Sequence, residues 1–390
     1  MQVVLRRVTD WRNRLPAGSH KVLSLIERCH TAALGHHTYK CEDKDCGHVH
    51  IQYHGCRNRH CPHCGSAKAG DWMRDRLNEL LPVTYYHVVF TLPAQLRPVT
   101  YLNRKVLFSL LFDASSHTLL KLSSDPKHLG ATPSITTVLH TWGQTLNFHP
   151  HVHCIVSGGG ADEDLQWKNL KHNNGKYLFP YPMMRKIYSG YFLEKLHHLV
   201  KDGVVNLPEG TNWQQLKNEL YGAKWIIRAE PKMSGAAQVV EYLARYTQKV
   251  GMSNHRIKKV DKKGNVSFLY KDYKAGGILK LMTLSGLEFL RRYAAHILPA
   301  GFVRIRHYGL NANYKRKERL SAVLANMDLP AHPEAVKLPE AIKLLLMYGS
   351  TERSCPECKK GKLRLIDVTH HPPRAGPSEA PELNRLISRK

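Results

Sequence analysis

The chain has 390 residues, and its 58 Lys and Arg residues exceed its 31 Asp and Glu residues, which gives a formal net charge of +27. This excess predicts a polyanionic partner, because Lys and Arg bind phosphate groups and release their condensed counterions. No stretch reaches the roughly 18 consecutive apolar residues of a membrane-spanning helix, and the N-terminus lacks the pattern of a secretion signal. The composition therefore argues against a membrane protein and predicts a cytoplasmic, nucleoid-associated protein that binds nucleic acid.

The first region of the chain, residues 1–78, is rich in cysteine and histidine. A reducing compartment disfavours disulfides, so clustered cysteines indicate a metal site. Two close pairs joined by a loop are typical of a tetrahedral zinc site, and thiolate ligands favour zinc over magnesium. Cys56 and His60 lie between the pairs and are alternatives for one ligand. We predict that Zn²⁺ is bound by Cys41, Cys46, Cys61 and Cys64.

The remaining sequence predicts both strands and helices. Runs of β-branched and aromatic residues indicate strands, and helical periodicity indicates helices. The predicted strands are 84–91, 136–142 and 152–157, the predicted helices are 101–124, 181–202 and 236–250, and a hairpin is predicted over 266–283. This mixture indicates an α+β fold centred on an antiparallel sheet. We place this core in residues 79–310, followed by a basic C-terminal region over 311–390 that we expect to be disordered from about residue 367.

Two histidines in the third predicted strand suggest a metal site. Residues two apart in a strand point to the same face, so His151 and His153 lie side by side while Val152 enters the core. Such a pair could hold half of a Mg²⁺ or Mn²⁺ site, where the ion would orient a scissile phosphate. We predict Gln144 as the third ligand, with His140 as the alternative. An H-x-H triplet alone is equally consistent with two hydrogen-bonded histidines on a strand.

Two tyrosines in the predicted helix over 236–250 are candidate nucleophiles. Tyr242 and Tyr246 are four residues apart, so on a helix they share one face. A phenolate oxygen can attack phosphorus, and the covalent intermediate conserves the energy of the broken phosphodiester. The alternative is core packing, because Tyr246 lies in an apolar stripe with Val239 and Val250.

These motifs together resemble a known family. Five segments, in this order, are similar to the two-tyrosine transposases of the insertion sequence ninety-one type, which belong to the HUH endonuclease superfamily. The segments are CRNRHCPHC at 56–64, LLPVTYYHVVFTLP at 80–93, HTWGQTLNFHPHVHCIVSGGG at 140–160, EYLARYTQKVGMSNHRI at 241–257 and RIRHYGL at 304–310. The resemblance covers about residues 20 to 310.

The resemblance implies a fold, an activity and roles for residues. It implies a central antiparallel sheet with an RRM-like core, preceded by a zinc-binding domain and followed by a basic tail. It implies that the protein nicks and joins single-stranded DNA at transposon ends, leaving a 5′-phosphotyrosine and a free 3′-OH. His151 and His153 match the family's metal ligands, and Tyr242 and Tyr246 match its nucleophiles. The chain has no G-x-x-x-x-G-K-[ST] motif, so we expect unwinding to come from a host helicase or the replication machinery.

Basic residues near these motifs are candidates for contact with the DNA backbone. For any single residue, a solvated surface position explains the charge equally well. The predicted DNA-binding residues are Arg57, Arg59, Arg256, Lys258, Lys259, Arg304 and Arg306.

Besides Cys56, four cysteines lie outside the predicted zinc set. Cys355 and Cys358 form a C-x2-C that is half of a zinc knuckle, with no second pair nearby in the sequence. This pair could recruit a histidine at 370–371 or remain without metal. Cys29 and Cys154 are expected to be small core residues.

Three rival functions share part of this evidence. A replication initiator or plasmid relaxase would use the same histidine and tyrosine chemistry on an origin. A non-catalytic zinc regulator would bind duplex DNA without a covalent product. A zinc hydrolase would need the histidines but neither tyrosine.

Overall fold

The computed structural model describes residues 1–64, 80–170, 178–229, 239, 251–331 and 353–370. These residues divide into two compact units. The larger unit contains residues 3–23 and the described residues from 58 to 331, and the smaller unit contains residues 24–57 and 353–370. The predicted helix over 236–250, and with it Tyr242 and Tyr246, lies outside the described residues except for Val239.

Nine α-helices and twelve strands are formed by the described residues. The helices are α1 (Gln2–Arg7), α2 (Trp11–Arg14), α3 (Ala17–Glu27), α4 (Arg97–Leu102), α5 (Arg104–Ser124), α6 (Tyr181–Lys201), α7 (Trp213–Gly222), α8 (Gly286–Ala294) and α9 (Arg316–Asn326). The strands are β1 (Gly35–Cys41), β2 (Val49–Tyr53), β3 (Tyr85–Thr91), β4 (Thr132–Trp142), β5 (Phe148–Ala161), β6 (Trp167–Asn169), β7 (Ile227–Ala229), β8 (Ile257–Val260), β9 (Val266–Asp272), β10 (Ile278–Leu284), β11 (Ile305–Gly309) and β12 (Leu363–His370).

The larger unit is built on a six-stranded antiparallel sheet, the central sheet. Its strands run in the order β11-β4-β5-β3-β7, and β6 pairs with the end of β5. Strands form here because β-branched and aromatic side chains suit a pleated, buried surface. Successive side chains of each strand point to opposite faces, so the central sheet has two faces of different chemistry.

One face of the central sheet is apolar and packs against helices. It receives Val152, Cys154 and Val156 from β5, and Val88 and Phe90 from β3, all within one buried cluster. Side chains of α5 and α6 complete this cluster, and burial of their apolar faces stabilises these helices more than their intrinsic propensity does. Among the helices that the structure describes, none is both long and apolar enough to cross a membrane.

Two smaller antiparallel sheets complete the described strands. In the larger unit, β8, β9 and β10 form a three-stranded sheet, and β9 and β10 are the hairpin predicted over 266–283. In the smaller unit, β1 lies between β12 and β2. The prediction of disorder from residue 367 is wrong for 367–370, because β12 pairs with β1 up to His370 and this pairing satisfies its backbone groups.

The predicted α+β fold with a central antiparallel sheet is confirmed. The three predicted strands correspond to β3, β4 and β5, and the predicted helices over 101–124 and 181–202 correspond to α4 with α5 and to α6. β4 and β5 are longer than predicted, at 11 and 14 residues, because both begin before their predicted starts and β5 also continues through glycines. The boundaries at 78 and 310 stay predictions.

Burial of Phe90 predicts a large loss of stability on truncation. Phe90 is fully buried beneath α6, with its ring 5.0 Å from that of Tyr188. We expect Phe90→Ala to lower the free energy of unfolding by about 3–5 kcal/mol in urea titrations followed by circular dichroism, because it leaves a cavity in the core. The control Tyr273→Ala removes a ring that is 68% exposed and should change stability by less than about 0.5 kcal/mol. Equal effects of the two substitutions would contradict the assignment of this core.

Candidate active site

Three histidines meet on the second face of the central sheet, which we call the histidine face. His151 and His153 come from β5, and His140 of β4 lies directly opposite His151 in the strand register. The ring centroids of His140 and His153 are 4.5 Å apart, and those of His151 and His153 are 4.9 Å apart. One ring nitrogen from each of the three lies within 4.8 Å of the others, close enough to bind one metal ion.

The structure brings His140, and not Gln144, beside the histidine pair through the strand register. β4 ends at Trp142, so Gln144 lies in the following turn and not on the strand that carries His140. The side-chain oxygen of Gln144 accepts a hydrogen bond from the backbone N–H of Lys271, at 3.4 Å. His140 is therefore the better candidate for the third ligand.

Burial keeps the imidazoles of His151 and His153 neutral. It lowers the pKa of His151 to about 4 and the pKa of His153 well below its usual value, because a charged ring is poorly solvated there. Nearby histidines lower both values further, since two adjacent imidazolium ions repel each other. A neutral imidazole offers the lone pair that a metal ion requires, so the cluster is ready to bind a cation at neutral pH.

Hydrogen bonds orient two rings of the cluster. The Nδ1 atom of His151 lies 2.6 Å from the carbonyl oxygen of His149. A carbonyl only accepts, so Nδ1 carries the proton and Nε2 carries the lone pair. Nδ1 of His153 lies 2.9 Å from Nε2 of His87, a buried residue of β3 whose ring is parallel to that of His153. Such outer contacts fix the tautomer and orientation of metal-binding histidines.

The sequence analysis did not identify His87 as a site residue. It lies in the apolar run of β3, where a single histidine is no signal of a ligand or of its support. The strand register places His87 opposite Ile155, which belongs to the histidine face because it lies two residues after His153. A pattern search for polar residues of matching parity on all three strands would have found it.

Val239 is the described residue that precedes residues 240–250, which contain Tyr242 and Tyr246 and are called the tyrosine segment. Val239 is fully buried and packs in a cluster with Tyr85 and Ile155. Ile155 and His153 are two residues apart on β5, so they point to the same face of the sheet. Val239 therefore lies against the histidine face, three residues before Tyr242 in the sequence.

The chain returns from the tyrosine segment at the other side of that face. Gly251 is buried so closely that an added Cβ would lie 3.3 Å from a side-chain carbon of Leu146 and 3.6 Å from one of Trp142. The ring of Trp142 stacks on that of His140, with centroids 4.7 Å apart. Val239 and Gly251, the described residues that flank 240–250, therefore lie on either side of the histidine cluster.

In the smaller unit, four cysteines from distant parts of the chain come together. The sulfur atoms of Cys41, Cys46, Cys355 and Cys358 all lie within 4.8 Å of one another. The C-terminal pair, for which we had expected a histidine at 370–371 or no metal, is thus completed by the first cysteine pair of the chain. The intervals of 309 and 317 residues hide this grouping from the sequence.

The other two cysteines of the predicted zinc set, Cys61 and Cys64, belong to the larger unit. The prediction that they share a site with the first pair is wrong, because two C-terminal sulfurs lie beside that pair. Cys154 is buried in the core of the central sheet, as expected. Cys29 is also buried, and its sulfur accepts a hydrogen bond from the backbone N–H of Cys56 at 3.3 Å.

Two models of protein families match the chain. Residues 134–319 match the model described as putative transposase, and residues 3–92 match the transposase zinc-binding domain. The chain is 38% identical over 366 residues to the putative transposase y4qJ of Sinorhizobium fredii (strain NBRC 101917 / NGR234), an alignment that covers 91% of the chain and 90% of the relative. The chain belongs to the IS91 family of transposases.

A second relative supports the same membership. The transposase for insertion sequence element IS801 of Pseudomonas savastanoi pv. phaseolicola is 32% identical over 286 residues, which cover 73% of the chain and 68% of the relative. No solved structure matches this transposase significantly. Membership of the family means that DNA is its substrate, in agreement with the net charge of +27. The matched range 134–319 contains the three histidines and both tyrosines.

Arg256, which is predicted to bind DNA, makes hydrogen bonds within the transposase. Its guanidinium donates hydrogen bonds to the backbone carbonyls of Leu269 at 2.8 Å, Gly251 at 3.4 Å and Gln144. These bonds connect β9, the end of the tyrosine segment and the turn after β4. Arg256 therefore holds three parts of the site together.

Three more of the predicted DNA-binding arginines have internal contacts. Arg59 donates to the carbonyl oxygen of Phe302 at 2.7 Å. The guanidinium of Arg306 lies over the ring of Phe112, 4.5 Å from its centroid. Burial lowers the pKa of Arg304 to about 10. The contacts of Arg59 and Arg306 give these two side chains a structural role.

The remaining predicted DNA-binding residues, Arg57, Lys258 and Lys259, are exposed. Lys258 and Lys259 belong to the three-stranded sheet of β8, β9 and β10, which Arg256 and the hydrogen bond from Lys271 to Gln144 attach to the turn after β4. Contact with DNA stays a prediction for these three residues and for the four arginines.

The contacts of Arg256 predict a structural effect. We expect Arg256→Ala to lower the free energy of unfolding by about 1.5–3 kcal/mol, because it removes charge-assisted hydrogen bonds to three carbonyls. The control Lys259→Ala removes an exposed side chain and should change the free energy of unfolding by less than about 0.5 kcal/mol. Thermal unfolding measured by calorimetry would compare the two. An unchanged free energy of unfolding in Arg256→Ala would contradict this structural role.

Proposed function

We propose that this transposase nicks and joins single-stranded DNA at transposon ends through a 5′-phosphotyrosine intermediate. The observation that carries the proposal is the cluster of three histidines on one sheet face, with Val239 and Gly251, the described residues that flank the tyrosine-containing segment 240–250, packed on either side of it. Metal-dependent attack on a phosphodiester requires a bound cation and a nucleophile such as a phenolate. A regulator that only binds DNA requires neither group.

His140, His151 and His153 would hold one divalent cation, either Mg²⁺ or Mn²⁺. Their three nitrogen donors fit a transition-metal ion better than Mg²⁺, which prefers oxygen ligands, so we expect Mn²⁺ to bind more tightly. When bound there, the ion supplies positive charge to a non-bridging oxygen of the scissile phosphate. His87 would act as a positioning residue, because its hydrogen bond fixes the ring of His153.

Tyr242 and Tyr246 are the proposed nucleophiles. The phenolate oxygen of one tyrosine would form a bond to phosphorus while the bond from phosphorus to the 3′ oxygen breaks, and that oxygen takes up a proton as a 3′-OH. The transposase would then be linked to the 5′ end. Reaction of a 3′-OH with this linkage would restore the phosphodiester and release the tyrosine. A second tyrosine allows two strand ends to be held in turn.

The single-stranded substrate requires a partner and a binding surface. We propose that a host helicase or the replication machinery supplies the unwound strand. Lys258 and Lys259 would contact its phosphates, since they are exposed on a sheet that is attached to the turn after β4.

A covalent capture assay tests the proposed chemistry. The transposase is incubated with Mn²⁺ and with single-stranded DNA from the flanks of its own gene, labelled at either end. We expect a protein adduct on the 5′ end of the cleaved fragment, abolished by EDTA and slowed at least about 100-fold by His151→Ala. Tyr242→Phe and Tyr246→Phe should each lose one class of product.

The control for this assay is Tyr221→Phe, which changes a tyrosine that is 65% exposed at the end of α7 and should react normally. DNA that is bound but never cut or captured would favour a non-catalytic DNA-binding protein. Cleavage that depends on metal but survives in a Tyr242→Phe/Tyr246→Phe double variant would indicate hydrolysis instead.

A pair of substitutions decides the third ligand. We expect His140→Ala to weaken binding of Mn²⁺ at least about tenfold, the loss that removal of even an outer contact can cause. Gln144→Ala should leave the affinity within about twofold, because its amide oxygen is hydrogen-bonded to Lys271. Isothermal titration calorimetry on the full chain measures both. The reverse order of effects would restore Gln144 as the ligand.

The exposed lysines predict a change in salt dependence. For Lys258→Ala/Lys259→Ala we expect weaker binding of single-stranded DNA of any sequence, and a salt slope reduced by about 1.4, since each lost phosphate contact lowers it by about 0.7. Lys201→Ala, at the end of α6 in the helical layer behind the apolar face, is the control. Fluorescence anisotropy at several salt concentrations gives the slopes, and an unchanged slope would remove these lysines from the interface.

A further inference from the structure

We propose that Cys41, Cys46, Cys355 and Cys358 form one tetrathiolate zinc site, through which the C-terminal segment 353–370 becomes part of the zinc-binding module. The family model for the zinc-binding domain ends at residue 92 and contains neither C-terminal cysteine. This site is separate from the nicking chemistry, and its test measures bound metal and thiol reactivity.

The sulfur positions fit a tetrahedral zinc site. With a Zn–S distance of about 2.3 Å, tetrahedral geometry places neighbouring sulfurs about 3.8 Å apart. The Sγ atoms of Cys41 and Cys358 are 3.8 Å apart, and so are those of Cys46 and Cys355. This distance is almost twice the roughly 2.05 Å of a disulfide, so the four thiols approach as ligands do and not as oxidised pairs.

Each cysteine pair lies on a tight backbone turn. In the first, the N–H groups of Cys46 and Gly47 both donate to the carbonyl oxygen of Asp43, at 3.2 Å. In the second, the N–H of Lys359 donates to the carbonyl of Cys355 at 3.0 Å. Gly47 and Lys359 both have positive φ angles, of 56° and 58°. Two turns of this kind, each bringing its two sulfurs to one side, are typical of structural zinc sites.

A backbone donor beside the cluster favours the thiolate of Cys358. The N–H of Gly361 lies 3.3 Å from the sulfur of Cys358. Gly361 packs so closely against the first turn that a Cβ there would overlap the sulfur of Cys41 and lie 2.9 Å from the Cβ of Asp43. Glycine at 361 therefore allows the two turns to face each other across the metal position.

Among the described residues of the smaller unit, several apolar side chains of the strands are exposed. Val49 and Ile51 of β2 are 50% and 45% exposed, and Leu365 of β12 is 52% exposed. A small three-stranded sheet is marginally stable without a metal or another cross-link. Zinc held by both ends of the chain would supply that stability, since ligand binding to the folded state adds directly to it.

Zinc stoichiometry in a set of cysteine variants tests the proposal. Zinc is measured in the purified full chain by mass spectrometry of the metal. We expect Cys41→Ser/Cys46→Ser and Cys355→Ser/Cys358→Ser each to lose one zinc equivalent, and the quadruple variant to lose the same single equivalent. Losses that add in the quadruple variant, or full zinc in the C-terminal double variant, would overturn the proposal. Cys154→Ala, which removes a core thiol, is the control and should retain all its zinc.

A second measurement uses the unaltered protein, so it does not depend on the folding of a variant. Alkylation of each cysteine by iodoacetamide is followed by peptide mass spectrometry before and after addition of a zinc chelator. We expect all four thiols to be protected at first and then to become reactive together. Alkylation of Cys355 and Cys358 at full rate before chelation, while the first pair stays protected, would contradict a shared ion.

Discussion

The register between β4 and β5 is the constraint on which the candidate site depends. Antiparallel pairing sets His140 opposite His151, and Leu139 opposite Val152. Because side chains alternate along a strand, a shift of one residue would turn His140 into the apolar layer and Leu139 onto the histidine face. Burial of Leu139 and Val152 against α5 and α6 thus fixes the positions of the histidines on the other side of the sheet. Apolar packing on one face of the central sheet therefore sets the positions of the histidines on the other face.

The histidine face combines burial with polarity, and the combination has a functional sense. Buried imidazoles are costly unless they are hydrogen-bonded, and a cluster of them adds little to a hydrophobic core. Here Nδ1 of His153 is hydrogen-bonded to His87, and Nδ1 of His151 is hydrogen-bonded to the carbonyl oxygen of His149. The same burial that would destabilise charged rings keeps them neutral, which is the state that binds a cation.

Cross-connections of distant chain segments recur in the protein. Arg256 joins the turn after β4 to β9 and to Gly251, so the chain that follows the tyrosine segment is attached to the strand that carries His140. In the smaller unit, β12 pairs with β1 and brings two cysteines to the first pair. In both cases polar contacts connect parts of the chain that are far apart in sequence.

The sequence by itself determined the fold class, the three central strands, the family and the chemical types of the site residues, because periodicity, composition and short motifs are local properties. It found His151 and His153 from their spacing on one strand, since alternation needs no tertiary information. Only the tertiary structure placed His140 beside the histidine pair, placed His87 against His153, and grouped Cys41 and Cys46 with Cys355 and Cys358. Those choices depend on strand register and on pairing across more than 300 residues. Likewise, sequence charge could not separate the arginines that bind the protein's own carbonyls from the exposed lysines, because a guanidinium reads the same in either environment.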